Sequence, residues 1–221
     1  MKRIIRVALA TMLATVALAA PAAAGPPSNI VLFGDDCFVS QNQNTVVVND
    51  STGGEIALER SPTTCGPDDE ATGPHNVVQN KRLFDSGPAT ESFSAFEVQL
   101  SAGSYGYYCT LHGSPAGGMR GVVRAKPRVV PIDANEQRVI WSNSQARTGN
   151  RYRVQYRREG TTKWKDWRKS TKSFNGVFGR NAKPAALAPS KRFEVRARSF
   201  RKGNPKRRSG WSPLAMVDTG P

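Results

Sequence analysis

The side chains best suited to metal chemistry fall in two short segments of the chain. His75 lies in a Pro-His-Asn-Val-Val run, and Cys109, His112 and Met119 follow within one stretch further along. Two imidazoles and a thiolate in a trigonal arrangement, with a weak axial thioether, form the donor set of copper centres that transfer electrons, although zinc could occupy the same ligands. His75 and His112 are the only 2 histidines of the chain, which excludes most enzymes that need several histidine ligands.

The first 24 residues have the pattern of a secretory signal peptide. Lys2, Arg3 and Arg6 precede an apolar stretch over residues 7–20, and three alanines at 22–24 fit a cleavage signal before Gly25. The apolar stretch is shorter than the roughly 20 residues that a membrane-spanning helix needs. We therefore expect an exported protein, secreted or held in the cell envelope, without a transmembrane segment.

The cysteine count supports a metal-bound thiol. Taken singly, a methionine is usually a core residue and an exported cysteine is usually disulfide-bonded. Cys37 and Cys65 can pair with each other, which leaves Cys109 as the odd thiol of the 3 cysteines. A free thiol in an oxidising compartment needs protection, and metal ligation would supply it.

Charge divides the mature chain in two. The whole chain carries +15, but residues 25–125 carry −6 and residues 126–221 carry +18. The cysteines and histidines lie in the acidic part, and all 4 tryptophans lie in the basic part. Each part has the size of a small domain, and we place the boundary at Ala125-Lys126-Pro127. Because an exported protein rarely meets the chromosome, the basic charge does not favour nucleic acid as a partner.

Both parts are predicted to be all-β. Short runs of alternating apolar and polar residues are separated by Gly, Pro, Asn and Asp, and helical periodicity is lacking. The strands predicted in the acidic part are 29–33, 45–48, 55–59, 75–79, 93–100, 104–109 and 121–125. Those predicted in the basic part are 138–141, 151–158, 164–169, 185–187, 192–199 and 214–217.

Residues 25–125 resemble the cupredoxins, specifically the plastocyanin- and azurin-like copper domains. The resemblance rests on the PHNVV run around His75 and on the YYCTLHGSPAGGMRGVV run that begins at Tyr107. It implies a Greek-key sandwich that binds one type 1 copper through His75, Cys109, His112 and Met119. It also implies that Asn76 braces the ligand loop by hydrogen bonds and that His112 presents its ring edge to solvent. The spacing from His112 to Met119 is longer than in plant plastocyanin.

Residues 126–221 resemble a fibronectin type III domain, an immunoglobulin-like β-sandwich. The resemblance rests on Trp141, on the segment 187–189 before Phe193, and on an SGWSP run at 209–213 that fits the last strand of that family. Such domains have no catalytic site of their own, and the acidic and serine residues of this part lack a histidine partner. We therefore expect no enzyme activity.

The charge of the basic part has three interpretations. It could be a solvated surface, it could reflect stacking of Arg196 and Arg198 on Trp211, or it could bind an anionic cell-wall polymer or polysaccharide. A predicted loop with four basic residues suits the third interpretation. These residues are Lys202, Lys206, Arg207 and Arg208.

The sequence therefore predicts an exported blue-copper protein that carries single electrons for an unknown redox partner, with a basic module that adheres to anionic polymers. One alternative is an extracellular copper store or buffer without a dedicated redox partner. The other is an adhesin in which the copper site is only structural.

Overall fold

A computed structural model describes residues 30–33, 38–40, 45–48, 54–60, 73–93, 95–143, 149–179 and 191–219. The predicted signal segment at 1–24, the predicted disulfide between Cys37 and Cys65, and the strand predicted at 185–187 lie outside the described residues.

The protein is all-β, as predicted. The described residues form strands and turns, and none of them is helical. No helix among them could therefore cross a membrane. The strands are β1 Ile30–Phe33, β2 Phe38–Ser40, β3 Thr45–Val47, β4 Gly54–Arg60, β5 Val78–Gln79, β6 Ala95–Leu100, β7 Gly103–Gly113, β8 Gly118–Lys126, β9 Arg128–Pro131, β10 Glu136–Ile140, β11 Asn150–Arg158, β12 Lys165–Thr171, β13 Asn175–Gly179, β14 Arg192–Arg201, β15 Asn204–Arg208 and β16 Ala215–Asp218.

The described residues of the acidic part form two four-stranded sheets. One has the order β2-β1-β4-β6 and the other has the order β3-β8-β7-β5. The pairs β1–β4 and β3–β8 are parallel, and the remaining pairs of these sheets are antiparallel. Since β2 contacts β8 and β3 contacts β4, the two sheets meet across a shared interior.

In the basic part, the residues that the structure describes also form two sheets. One has the order β13-β10-β9, and the other has the order β12-β11-β14-β15, with β16 also paired to β14. Strand β14 shows why these residues form a sheet, because Phe193, Val195 and Ala197 are buried while the charged residues between them, Glu194 and Arg196, lie on the opposite face. Trp141, Trp167 and Phe178 pack edge to face inside this part.

Several strand predictions need correction. β7 does not stop at Cys109 but continues to Gly113. Residues 204–208 form strand β15 rather than a loop, because they pair with β14 across a tight turn at 202–203. The SGWSP run precedes the last strand instead of forming it, since β16 begins at Ala215. β2, β9 and β13 were missed, the last two because each includes residues typical of turns.

The acidic and basic parts share a buried junction. Only Pro127 separates β8 from β9. The Ser101 and Ser142 hydroxyls lie 2.8 Å apart, and the Tyr152 hydroxyl donates to Ser142 at 2.9 Å. The Tyr105 hydroxyl donates to the Ser101 carbonyl at 2.7 Å and lies 3.0 Å from the Ser199 hydroxyl. These polar groups are paired across the junction, as buried polar groups must be.

Candidate metal centre

Strand β7 carries Cys109 into the protein interior. Gly103, Tyr105, Tyr107 and Cys109 are buried, and the residues between them are more exposed. This alternation follows from the two-residue period of a strand. Cys109 is therefore placed by simple strand geometry, with its side chain fully buried.

A large irregularity follows Cys109. In the pairing of β7 with β8, Tyr108 lies opposite Arg120 and Gly113 lies opposite Gly118. Residues 109–112 of β7 therefore stand against a single residue of β8, Met119. Extra residues on one strand bend it and redirect its side chains. Here the irregular segment carries both Cys109 and His112.

The hairpin between β7 and β8 is closed tightly by glycines. Gly118 has a φ of 70°, and a Cβ atom there would lie 2.3 Å from the His112 carbonyl oxygen. A Cβ atom on Gly113 would lie 2.4 Å from the Met119 carbonyl oxygen. Inside the turn, the Ser114 hydroxyl accepts hydrogen bonds from the amides of Ala116 and Gly117. The turn therefore holds His112 and Met119 at a close, defined backbone distance.

His75 arrives from a separate segment. We name residues 75–90 the ligand arm, because they form an irregular hairpin that starts with His75. The amide of His75 donates to the Thr90 carbonyl and the amide of Thr90 donates back to the His75 carbonyl, both at 3.1 Å. The side chain of His75 is fully buried.

Asn76 connects the ligand arm to the cysteine segment. Its Oδ1 accepts hydrogen bonds from the Thr110 amide at 2.9 Å and from the Thr110 hydroxyl at 3.1 Å. Its Nδ2 donates to the Gly87 carbonyl at 2.9 Å. One buried side chain thus joins the residue after Cys109 to both legs of the arm.

The folding of these segments brings His75, Cys109 and His112 into one cluster. One donor atom from each residue lies within 4.8 Å of the other two. The Sγ of Cys109 is 3.6 Å from Nδ1 of His112, and the two imidazole centroids are 4.8 Å apart. His75 and Cys109 are buried, whereas His112 is half-buried.

The donor set fits a metal ion. In a trigonal site, metal–nitrogen and metal–sulfur bonds of about 2.0–2.3 Å place neighbouring donors about 3.5–3.8 Å apart. Sγ of Cys109 and Nδ1 of His112 already lie at 3.6 Å, and a separation at the 4.8 Å limit of the cluster would have to shorten by about 1 Å. Imidazole and thiolate are ligands for copper and zinc. The cluster can thus hold a metal ion of this kind.

Two further residues beside the cluster are Met119, which was predicted as a ligand, and Thr110, which was not. Met119 is buried at the start of β8, opposite the irregular segment of β7, and its role as an axial ligand stays a prediction. Thr110, which donates two hydrogen bonds to Oδ1 of Asn76, was not predicted. Its position directly after Cys109 was the available signal, because a residue beside a ligand is well placed to carry the hydrogen bonds that orient it.

A second feature lies on the open face of the β12-β11-β14 sheet. The guanidinium of Arg196 lies between the rings of Trp164 at 3.9 Å and Trp211 at 4.4 Å. Arg198 covers the Trp211 ring at 4.5 Å, and Arg157 covers the Trp164 ring at 4.5 Å. The expected stacking of Arg196 and Arg198 on Trp211 is confirmed.

The comparisons with known proteins concern structure alone. No protein-family model matches the sequence, and no curated protein matches it either. A solved structure described as a myokine has 11% identity and a TM-score of 0.33, over 43% of this chain and 93% of its own. A cytokine receptor complex has 14% identity and a TM-score of 0.34, over 67% and 86%. The FN1-FN3 domains of chicken CNTN1 have 10% identity and a TM-score of 0.33, over 89% and 69%.

Similarities at this level do not identify a function. What defines the chain is its own structure. It is an all-β protein in which a His–Cys–His cluster could hold a metal ion.

Proposed function

We propose that this protein is an exported type 1 copper protein that carries single electrons and is not an enzyme. The observation that carries the proposal is the cluster of His75, Cys109 and His112, whose donor atoms lie within 4.8 Å of one another. A bound copper ion would supply the one-electron exchange between Cu(I) and Cu(II). The cupredoxin resemblance of residues 25–125 and the predicted axial Met119 support copper over zinc.

The burial of the three residues supports electron transfer over exposed metal chemistry. His75 and Cys109 exclude water from the inner side of the cluster, while His112 reaches the surface in part. Asn76 and the glycine-closed hairpin hold the two ligand segments in a fixed relation. Such preorganisation keeps the ligands from rearranging when the charge of the centre changes.

Optical and paramagnetic-resonance spectra of the copper-loaded protein test this proposal. We expect one copper per chain, an intense blue thiolate band and a narrow copper hyperfine splitting. Cys109→Ser should abolish the band, because a hydroxyl cannot replace the thiolate. Thr110→Ser, which leaves every proposed ligand in place, should keep it. Absence of the band in the wild-type protein would overturn the type 1 assignment.

The copper-store alternative predicts a different behaviour. A carrier should have a reversible reduction potential and rapid electron self-exchange, both measurable by voltammetry and by NMR line broadening. A store should release copper readily to a chelator and exchange electrons slowly. Slow self-exchange in a protein with the blue band would favour the store.

Export has its own test. The sequence pattern of residues 1–24 supports cleavage before Gly25. Mass spectrometry of protein recovered outside the cytoplasm should find a chain that starts at Gly25. A full-length chain retained inside the cell would contradict the proposed localisation.

The open sheet face of the basic part supports a second function, adhesion to an anionic cell-wall polymer or polysaccharide. We call it the arginine face, because it carries Arg153, Arg157, Arg196 and Arg198. Arg153 is paired with Asp166 at 2.8 Å, and Arg157 is paired with Glu194. Arg196 and Arg198 form no salt bridge with any residue of the described ranges. Arg153 and Arg198 also lie directly opposite each other across β11 and β14, a like-charge arrangement that is destabilising by itself. A polyanion would relieve this repulsion.

Binding to immobilised dextran sulfate tests the adhesion. Arg198→Gln should lower the salt concentration needed for elution, since it removes a charge from the arginine face. Arg138→Gln removes the same charge from an exposed position on β10, in the other sheet. Equal shifts for the two variants would contradict a localised binding face.

A further inference from the structure

We propose that Arg201 and Arg207 of the basic part are positioning residues for the candidate metal centre. They hold the tip of the ligand arm, residues 81–83, and this arm carries His75. The centre lies entirely in the acidic part of the chain, so this gives the basic part a role other than adhesion. The inference rests on the proposed function only where copper is used as a probe.

The arm is a chain of hydrogen bonds between two legs. Beyond the His75–Thr90 pair, the Val77 amide donates to the Ser86 hydroxyl at 2.8 Å and the Ser86 amide donates to the Val77 carbonyl at 3.0 Å. Nearer the tip, the Gln79 amide donates to the Phe84 carbonyl at 3.1 Å. Movement at the tip is therefore transmitted along the second leg.

Among the described residues, only the first leg pairs with a sheet strand through backbone hydrogen bonds, while the second leg is anchored at its start by the Phe84 ring, which packs against Phe96 and Tyr105. β5 pairs with β7 through Val78 and Gln79, and the Asn80 amide donates to the Gly106 carbonyl. The second leg returns to the centre without a strand partner of this kind among the described residues. Its two attachments at the centre are Gly87, which accepts from Asn76, and Thr90, which pairs with His75.

Two arginines of the basic part, Arg201 and Arg207, donate hydrogen bonds to the tip of the arm, and we call this pair the arginine clamp. Nε of Arg207 donates to the Arg82 carbonyl at 2.9 Å, and Nη2 of Arg207 donates to the same oxygen. Nη2 of Arg201 donates to the Leu83 carbonyl at 3.2 Å. Hydrogen bonds from a charged donor are about twice as strong as neutral ones. These three bonds come from residues more than 100 positions away in the chain.

The tip has a conformation that needs such support. Arg82 has a φ of 54°, the only positive φ of a non-glycine residue among those described. This region is unfavourable for a side chain with a Cβ atom and is kept only where the surroundings impose it. The Gln79 side chain braces the tip from inside, because its Oε1 accepts the amides of Lys81 and Leu83. Arg207 fixes the carbonyl of the strained residue from outside.

This arrangement also changes the interpretation of the basic cluster at 202–208. The sequence places Arg207 in a basic cluster that would suit an anionic ligand. Its guanidinium is instead bound to the backbone of the acidic part. Its function is therefore to join the two parts of the protein.

Hydrogen exchange of the metal-free protein tests the proposal without copper. The double variant Arg201→Ala, Arg207→Ala should raise the exchange rates of the Ser86 and Thr90 amides by about tenfold, because the second leg opens more often. Amides of Val139 and Ile140 in β10 should keep their rates, which shows that the variant is folded. The charge-matched control Arg138→Ala, Lys172→Ala should leave the arm unchanged. Unchanged Ser86 and Thr90 exchange in the clamp variant would overturn the proposal.

Copper loading provides the second measurement. In the clamp variant, transfer of copper to a chelator should be several times faster than in the wild-type protein, and the spectrum of the centre should broaden. Arg201→Lys, Arg207→Lys, which keeps one donor at each position, should restore part of the difference. Faster arm exchange with unchanged copper release and spectrum would show that the tip does not position His75. A wild-type protein that takes up no copper would refute the proposed function, while the exchange comparison would still decide whether the clamp holds the arm.

Discussion

Asn76 shows how a single side chain can fix the relation between two ligand segments. It is buried, and its amide uses both ends: Oδ1 accepts two hydrogen bonds from Thr110, and Nδ2 donates one to Gly87. Because Thr110 follows Cys109 and Asn76 follows His75, the two candidate ligands cannot move apart without breaking these bonds. The side chain is therefore important even when no metal is bound.

Removal of the Asn76 amide should destabilise the metal-free protein. Asn76→Ala removes three hydrogen bonds of a buried side chain, two accepted from the exposed Thr110 and one donated to Gly87, and we expect a loss of about 1–3 kcal/mol in the free energy of unfolding. Urea denaturation of the metal-free protein measures the loss. Thr110→Ser, which retains both donors, should stay close to wild type. Equal stability of the two variants would contradict the role assigned to Asn76.

Ionisation of the Asp166 carboxyl makes the free energy of unfolding depend on pH. The hydrogen bond from Arg153, helped by Gln155, lowers the pKa of the Asp166 carboxyl to about 2 from an ordinary value of 3.8. The folded state thus binds the proton less readily than the unfolded state. The stabilisation is present above the ordinary pKa and is lost as the pH falls from about 4 towards 2.

Asp166→Asn should remove this part of the acid sensitivity. Unfolding free energies at pH 6, 4 and 2.5 should converge for the variant and the wild type as the pH falls. Glu159 forms an exposed ion pair with Arg192 at 3.3 Å, and such pairs contribute little. Glu159→Gln should therefore leave the acid profile of the wild type intact. If the unfolding free energies of Asp166→Asn and the wild type differed by the same amount at all three pH values, Asp166 would not be a source of the acid sensitivity.

At the scale of elements, the β7–β8 hairpin determines where two of the three cluster residues lie. Regular pairing would send alternate side chains of residues 109–112 to opposite faces of the sheet. The irregular pairing opposite Met119 breaks that rule and lets Cys109 and His112 meet. The close approach of Gly113 and Gly118 then ends the irregular segment.

The hairpin glycines should differ in their tolerance of a methyl group. Gly118→Ala meets both a positive φ and a backbone oxygen at 2.3 Å, so we expect a loss of about 1–3 kcal/mol in the free energy of unfolding. Gly117→Ala in the same turn has no atom within 4 Å of the new Cβ and should change stability little. Thermal or urea unfolding of both variants measures the difference. A Gly118→Ala variant as stable as Gly117→Ala would show that the turn is not constrained.

At the scale of the whole molecule, the acidic and basic parts are joined by a buried polar junction and by the arginine clamp. Tyr105 reaches from β7 into this junction, where it contacts Ser101 and Ser199. Burial raises the pKa of Tyr105 well above its ordinary value, although the hydrogen bond to Ser199 opposes the shift. Burial also raises the pKa of Tyr107, two residues further along β7.

These tyrosines should make the protein sensitive to alkali. Their folded-state pKa values lie above the unfolded value of 10.0, so the stabilisation is complete below pH 10 and declines above it. Each such tyrosine contributes a slope of about 1.4 kcal/mol per pH unit there. Tyr105→Phe should reduce the slope by that amount and lower stability at pH 7 by about 1 kcal/mol. Unfolding free energies between pH 8 and 11 test this expectation, and an unchanged slope would refute it.

Local patterns explain how much of the fold was predictable. The two-residue alternation in β7 and β14 reports burial directly, because neighbouring side chains of a strand must point to opposite faces. Strand existence was therefore predicted well for the long strands. β9 and β13 were missed because each includes residues typical of turns, namely Pro131 in β9 and Asn175, Gly176 and Gly179 in β13.

The sequence by itself determined that the chain is all-β and which residue types could form a metal centre. It could do so because alternation and donor chemistry belong to the residues themselves. Only the tertiary structure decided that His75 meets Cys109 and His112, that Asn76 accepts hydrogen bonds from Thr110, and that Arg207 donates to the backbone carbonyl of Arg82. These relations join residues 34 to 125 positions apart. They depend on strand pairing and on the irregular segment of β7, which no local pattern of residues records.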